Sequence, residues 1–173
     1  MNINILLIVV GIILAFNVIM GYKEGMTHQL VTLVSTIIGG IVVVLISVGL
    51  RNYVSGHLLN VLLVLVLLAA LAIIQVAVKA FFFSLKIISK FPILHGLDRV
   101  VGIFFGAVET LILVWFLYTI LMMFDLGLVG DLIKRYTRES EILTWLFEKN
   151  YVRFLLDRYL PENWTDWFSI LKG

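Results

Sequence analysis

Residues 94–116 read LHGLDRVVGIFFGAVETLILVWF, a polar turn followed by a long apolar run that contains a single acid. A helical wheel places four of these residues on or at the edge of one face about 60° wide: Asp98, Gly102, Gly106 and Glu109. Glycines four residues apart allow the backbone of another helix to approach closely in lipid. A carboxylate within a membrane span has to meet a partner or water. This stretch therefore predicts the helix around which the other spans pack.

The composition limits the class of protein. The chain has 173 residues, of which 62% are hydrophobic, and its mean hydropathy is +1.11. These values lie far above those of soluble domains and predict an integral membrane protein in contact with the lipid bilayer. The formal net charge is +2, and the basic residues are dispersed along the sequence. They do not form the basic stripe that is typical of nucleic-acid binding. The absence of cysteine excludes disulfides and cysteine-based sites.

Four apolar runs predict four transmembrane helices, at residues 3–20, 30–50, 58–78 and 100–124. Together they form one all-α membrane domain over residues 1–125. The segment Gly21-Tyr22-Lys23-Glu24-Gly25 joins the first two runs, and its two glycines favour a sharp reversal. The second run carries a stripe of small and hydroxylated side chains, typical of a surface on which helices pack or, alternatively, of a polar substrate path. The stripe includes Thr32, Thr36 and Gly39.

The third run has no clean end. Beyond it Lys79, Lys86 and Lys90 continue along one helical face while apolar residues occupy the other faces, as far as Pro92. This pattern predicts a helical extension that leaves the bilayer and lies along the headgroups, with the lysines reaching towards anionic lipid.

After residue 125 the composition changes to mixed charges and spaced aromatic residues. The tail, residues 126–173, is predicted to form amphipathic helices at the interface, one of them around residues 142–149 with Ser140 as its N-cap. Tryptophan side chains favour the membrane–water boundary, and the tail has Trp145, Trp164 and Trp167. We expect the tail either to lie on the bilayer or to fold against the ends of the spans.

Four spans place both termini on one side of the membrane. Basic residues near the span ends are almost equally numerous on the two sides, and the positive-inside rule gives only a slight preference for cytoplasmic first and third loops.

Two segments resemble the colicin V production protein family. One is the glycine-rich loop Gly21–Gly25, and the other is residues 97–106, LDRVVGIFFG, which look like that family's Asp-Arg pair leading into a G-x-x-F-G helix. The resemblance covers about residues 1–125. It implies a bacterial inner-membrane protein linked to the production or export of a peptide toxin (a colicin V-like bacteriocin) and to envelope homeostasis. The family's module also occurs fused to an extracytoplasmic serine protease domain, which implies that both termini are extracytoplasmic.

Three polar residues of the central helix are candidates for function. Asp98 lies at a helix N-terminus, where a negatively charged side chain is favourable, and Arg99 could meet phospholipid headgroups. Alternatively, the two residues form a recognition or gating pair. Glu109 lies about three turns into the span, where an ionised side chain costs at least about 2–3 kcal/mol. It is expected either to lie on an ion or proton path or to be held by a hydrogen bond. Three residues could supply that bond: Thr32, Thr36 and Asn17.

Catalytic signatures are missing from the sequence. It has no G-x-S-x-G nucleophile segment, no H-E-x-x-H pair and no glycine loop for phosphate, so we expect neither an enzyme nor a cofactor. Two hypotheses remain. The first is a scaffold or accessory subunit that assembles through the Gly102/Gly106 face or its tail, with itself or with a membrane or export partner. The second is a small oligomeric channel or transporter that uses Glu109, with Asp98 at its mouth.

Overall fold

The computed structural model describes residues 4–51, 53–84 and 95–159, and within these ranges every regular element is a helix. Six helices follow one another: α1 Ile5–Leu50, α2 His57–Ser84, α3 His95–Met123, α4 Leu128–Arg138, α5 Glu141–Glu148 and α6 Tyr151–Tyr159. Three of them are long and apolar enough to cross a membrane: α1, α2 and, over Asp98–Met123, α3. Large apolar side chains are exposed along α1 and α2, as expected of surfaces that face lipid.

Helix α1 contains both of the first two predicted runs. Its one residue with non-helical torsion angles is Gly25, at φ 80° and ψ 177°. A positive φ is strained for any residue with a Cβ, so glycine is the residue that suits this position. The sequence predicted a five-residue connection from Gly21 to Gly25, and this was wrong in extent. Because a single glycine provides the change of direction, residues 21–24 remain helical.

The contacts with α3 show that the two parts of α1 run in opposite directions. In residues 5–24, Asn17 lies against Gly106 and Gly21 lies against Gly102. In residues 26–50, Gln29 binds Glu109 and Gly40 lies against Phe116. The first part is therefore antiparallel to α3 and the second part is parallel to it. The two parts form a hairpin that packs along α3.

A second set of contacts closes the apolar core. Residues 26–50 of α1 pack against α2 and the second half of α3, and α5 covers the end of α3. The core side chains from these elements include Val43, Val44, Val64, Leu67, Leu71, Phe116, Ile120 and Leu143. Between membrane spans, such packing stabilises the bundle through dispersion contacts.

Helix α2 continues to Ser84, several residues past the predicted end of the third span. Lys79 lies within it and is half-buried. The predicted extension along the headgroups falls mostly outside the described residues, as do Lys86, Lys90 and Pro92. Trp164 and Trp167 also lie outside them.

Helices α4, α5 and α6 fold back onto α1 and α3. Ser140 is the N-cap of α5, since its Oγ accepts a hydrogen bond from the Leu143 N–H at 3.4 Å. The indole N–H of Trp115 donates to the Leu146 carbonyl at 3.0 Å, and the Asn150 amide donates to the Trp115 carbonyl at 3.0 Å. Part of the tail is thus held on α3 by buried hydrogen bonds.

The other end of the tail is held by α1 as well. The Asn4 amide donates to the Tyr136 carbonyl at 2.6 Å, and the Tyr118 hydroxyl lies 3.0 Å from the Thr137 hydroxyl. The first contact places α4 beside the start of α1, and the second joins α4 to α3. In the last helix, burial lowers the pKa of the Arg153 guanidinium, and nearby Asp157 opposes that shift.

Candidate functional site

The small residues of α3 lie against the first part of α1. A methyl group built on Gly102 would overlap the Gly21 carbonyl, and one built on Gly106 would overlap the Asn17 carbonyl. A side chain at either position would therefore push the two backbones apart. Thr110, one turn further along, accepts a hydrogen bond from the Asn17 amide at 3.0 Å. These contacts are made within one chain.

Asp98 and Arg99 both contact α1 at its reversal. The Asp98 carboxylate accepts a hydrogen bond from the Met26 N–H at 2.8 Å. Met26 follows Gly25 and is the first residue of the second part of α1, where backbone N–H groups lack helical partners and favour an anion. The Arg99 guanidinium lies over the Tyr22 ring, 5.4 Å from its centroid. Asp98 and Arg99 of α3 thus both contact the hairpin of α1 at its reversal.

Glu109 is the centre of a buried polar cluster. Its side chain is 4% exposed. One carboxylate oxygen accepts a hydrogen bond from the Gln29 amide, and the other accepts one from the Thr36 hydroxyl at 3.0 Å. Gln29 and Thr36 are seven residues apart on α1 and so share a face. Both oxygens of the buried acid therefore have donors from the second part of α1.

The cluster also includes α2. The Gln75 amide donates to the Thr36 hydroxyl at 3.1 Å, which links α2 through α1 to Glu109. Gly39 packs beside the hydrogen bond between Gln75 and Thr36. A Cβ built on Gly39 would lie 3.4 Å from its nearest α2 atoms, which is an ordinary van der Waals contact. Lys79 lies one helical turn beyond Gln75. Glu109 and its partners thus tie together α1, α2 and α3.

Beyond Glu109, an apolar layer separates the α1 and α3 parts of this cluster from the rest of the bundle. Further along α1 and α3, the space between the helices is filled by Val43, Val44 and Phe116, which are at most 3% exposed. The Ser47 hydroxyl turns back to the Val43 carbonyl of its own helix at 2.8 Å. On the other side of Glu109, His28 Nε2 lies 2.7 Å from Glu24 Oε2 near the reversal. Between Glu109 and the reversal the polar side chains thus follow one another, whereas the apolar layer separates Glu109 from Ser47 and from the buried Thr119 further along α3.

A second polar group lies at the opposite end of the bundle. His57 Nδ1 is 3.2 Å from Asp125 Oδ2, and the Asn60 amide donates to the Asp125 carbonyl at 2.9 Å. The Gly127 N–H donates to Asp125 Oδ1 at 3.1 Å. This group joins the start of α2 to the connection between α3 and α4.

The structure brings together most of the residues that the sequence singled out. Gly21, Gly25, Asp98, Gly102 and Gly106 meet along the α1–α3 contact, and Arg99 lies beside them. Trp145 is separate from this site and 52% exposed on the tail.

The predicted hydrogen-bond partners of Glu109 were only partly right. Thr36 is a partner, but the Thr32 hydroxyl donates to the His28 carbonyl of its own helix and Asn17 binds Thr110. Gln29 was missed, because it lies before the predicted start of the second span. Its seven-residue spacing from Thr36 is the signal that could have identified it.

The contacts made by these side chains hold helices together. Among the described residues no group of three His, Asp or Glu side chains could hold a metal ion. The acid at the centre of the site accepts hydrogen bonds from neutral amide and hydroxyl donors. Such an arrangement can fix the positions of three helices, or accept a proton if water reaches it.

Comparison with known proteins identifies the family. No curated protein and no solved structure matches the chain. The family described as colicin V production protein matches residues 6–150, which include all of α2, α3, α4 and α5 and all of α1 except Ile5. With three helices apolar enough to span a membrane, the chain is a multi-pass membrane protein that belongs to the colicin V production protein family.

Proposed function

We propose that this chain is a non-catalytic accessory or scaffold protein of the bacterial inner membrane, which supports production or export of a peptide toxin and upkeep of the envelope. Family membership supports the biological setting. The observation that carries the molecular role is the set of partners of Glu109. Both of its oxygens are bound by residues of the same chain, and an apolar layer containing Val43, Val44 and Phe116 lies beyond it. One protomer therefore offers a rigid bundle rather than a polar path.

The proposed topology has four crossings, because the two parts of α1 cross in opposite directions. Two groups of contacts support it. Gly25 and Asp98 meet at one end of the bundle, whereas Asn4, His57 and Asp125 make their contacts at the other. An even number of crossings places both termini on one side, which we propose is extracytoplasmic.

The surface for assembly is proposed to lie away from the Gly102/Gly106 face. That face is covered by residues 5–24 of the same chain, so a second copy cannot use it without displacing them. The outer face of α2 and the exposed side of the tail remain for a second copy or for an export partner. On α2 that face includes Val66, Ile73 and Val76, each more than 60% exposed.

A small channel or transporter remains the second candidate function. It is favoured by one observation, the polar side chains of Glu24, His28 and Gln29 that extend from the reversal towards Glu109. An ion would still have to pass the apolar layer beyond Glu109, so this function requires a path between protomers.

Flux and rescue measurements separate the two candidates. The chain is reconstituted into liposomes, and proton and K⁺ flux are compared for the wild type, Glu109→Gln and empty liposomes. In parallel, a strain lacking the protein is tested for toxin secretion and envelope integrity with each variant. The scaffold function predicts no flux above empty liposomes and rescue by Glu109→Gln. Flux that is lost in Glu109→Gln would establish the transport function instead.

A further inference from the structure

An apolar groove lies between α6 and the α1–α3 pair and is here called the α6 groove. Its volume is about 270 Å³. It is open on one side. Residues from all three helices line it: Ile37, Ile41, Leu45, Ile112, Trp115 and Leu155 among them.

We propose that the α6 groove binds one acyl chain of a membrane phospholipid. The first argument is its chemistry, since the only polar side-chain atoms of its lining residues are the Trp115 indole N–H and the Tyr151 hydroxyl. The Trp115 indole N–H already donates to the Leu146 carbonyl. The surface that a ligand would meet in the groove is therefore almost wholly apolar. Such a surface suits an apolar ligand.

The second argument is the position of the groove along the bundle. At about 1.5 Å per residue, Ile37 and Leu45 lie roughly 18 and 30 Å along α1 from the reversal at Gly25. The hydrocarbon core of a bilayer is about 30 Å thick. The groove therefore lies in the leaflet away from Gly25, beside lipid tails. This step rests on the proposed membrane crossings but not on the role in toxin production.

The third argument is size and charge. An α-helix with its side chains is about 10–12 Å across, which is too wide for a groove of about 270 Å³. A single acyl chain is narrow and flexible enough to enter. Helix α6 also carries the exposed Arg158 in its last turn, and a guanidinium group suits phosphate, whereas Arg153 pairs with Asp157 of the same helix at 3.6 Å. A phospholipid therefore matches both the groove and its border.

Fluorescence quenching by brominated lipid tests the proposal. The chain has four tryptophans, and replacing Trp145, Trp164 and Trp167 by Phe leaves Trp115 as the only one. Trp115 is 9% exposed, so bulk lipid has little access to it. The full-length protein is reconstituted with phospholipids brominated in mid-chain. An occupied groove predicts that Trp115 loses a large fraction of its emission relative to unbrominated lipid.

Two matched variants identify the groove as the source of quenching. Ile41→Phe places an aromatic ring in the groove and narrows it, whereas Ile46→Phe is a control on the same helix, because Ile46 is 42% exposed and Ile41 is 49% exposed but only Ile41 lines the groove. We expect Ile41→Phe to restore part of the emission and Ile46→Phe to restore none. No quenching in the parent protein, or equal quenching in both variants, would overturn the proposal and leave residues 160–173 or a second copy as the occupant.

Native mass spectrometry gives a readout that does not depend on tryptophan. Wild-type protein released from lipid nanodiscs is expected to retain one phospholipid per protomer, as is Ile46→Phe, while Ile41→Phe loses it. Equal retention by all three proteins would contradict the proposal. Loss of toxin secretion in any variant bears only on the proposed function, so the two can fail separately.

Discussion

Gly21 and Gly102 meet backbone to backbone, so that a methyl group on either one would overlap the carbonyl oxygen of the other. Because neither glycine has a side chain, the backbones of α1 and α3 can touch at this point. A side chain at either position would separate them. In lipid, where apolar surface gains little from leaving its solvent, such close approach provides much of the packing energy between helices. This contact accounts for the arrangement of the α1 hairpin along α3.

Gly102→Ala is expected to destabilise the bundle by about 1–3 kcal/mol, the usual cost of adding a methyl group to a packed site. The matched control is Gly11→Ala on the lipid-facing side of α1, where a Cβ has no neighbour within 4 Å. Alanine is the better helix former, so the control should be neutral or slightly more stable. Thermal unfolding in mild detergent measures both. Equal stability of the two variants would contradict the close contact.

Gly25→Ala should cost more than Gly56→Ala. Both glycines have positive φ, 80° and 112°, so each alanine carries strain of about 1–2 kcal/mol. Only at Gly25 would the new methyl group overlap the Asp98 carboxylate. That displacement breaks the bond to the Met26 N–H and adds about 1.5–3 kcal/mol, typical of a charged hydrogen bond. The same unfolding assay compares the two variants, and similar losses would show that Asp98 does not brace the reversal.

Glu109→Leu is expected to destabilise the protein by several kcal/mol, at about 1–3 kcal/mol for each buried donor left without an acceptor. The donors are Gln29 and Thr36. Glu109→Gln keeps one acceptor oxygen and should cost less. The double variant Glu109→Leu/Gln29→Leu should lose less than the sum of its single changes. Strict additivity in this cycle would mean that Glu109 and Gln29 are not coupled.

Asn150→Leu should loosen the tail without unfolding the membrane bundle. The Asn150 amide donates to the Trp115 carbonyl and the Thr119 hydroxyl, and its carbonyl accepts from the Arg153 N–H. Loss of these buried bonds costs about 1–3 kcal/mol and should make residues 151–159 more sensitive to limited proteolysis. Glu148→Gln, on the exposed side of α5, serves as the control. Unchanged cleavage in Asn150→Leu would contradict the anchoring of α6.

The sequence predicted one side of the central contact and not the other. Asp98, Gly102 and Glu109 share a face because an α-helix fixes their relative positions. Which residues of α1 meet that face depends on the reversal, and a single residue, Gly25, sets it. The expected five-residue loop placed the second span too late and excluded Gln29. The sequence left open whether the tail lies on the bilayer or folds against the spans, because the contact that decides it joins Asn150 to Trp115, which are distant in sequence.

The central claim is that α1 crosses the membrane twice and that both termini are extracytoplasmic. It is tested most directly by labelling single cysteines, which the chain permits because it has none of its own. Tyr53→Cys and Lys23→Cys change exposed residues at the two ends of the bundle. With a membrane-impermeant maleimide on intact spheroplasts, Tyr53→Cys should be labelled and Lys23→Cys only after permeabilisation. Labelling of both from outside, or the reverse pattern, would contradict the proposed topology.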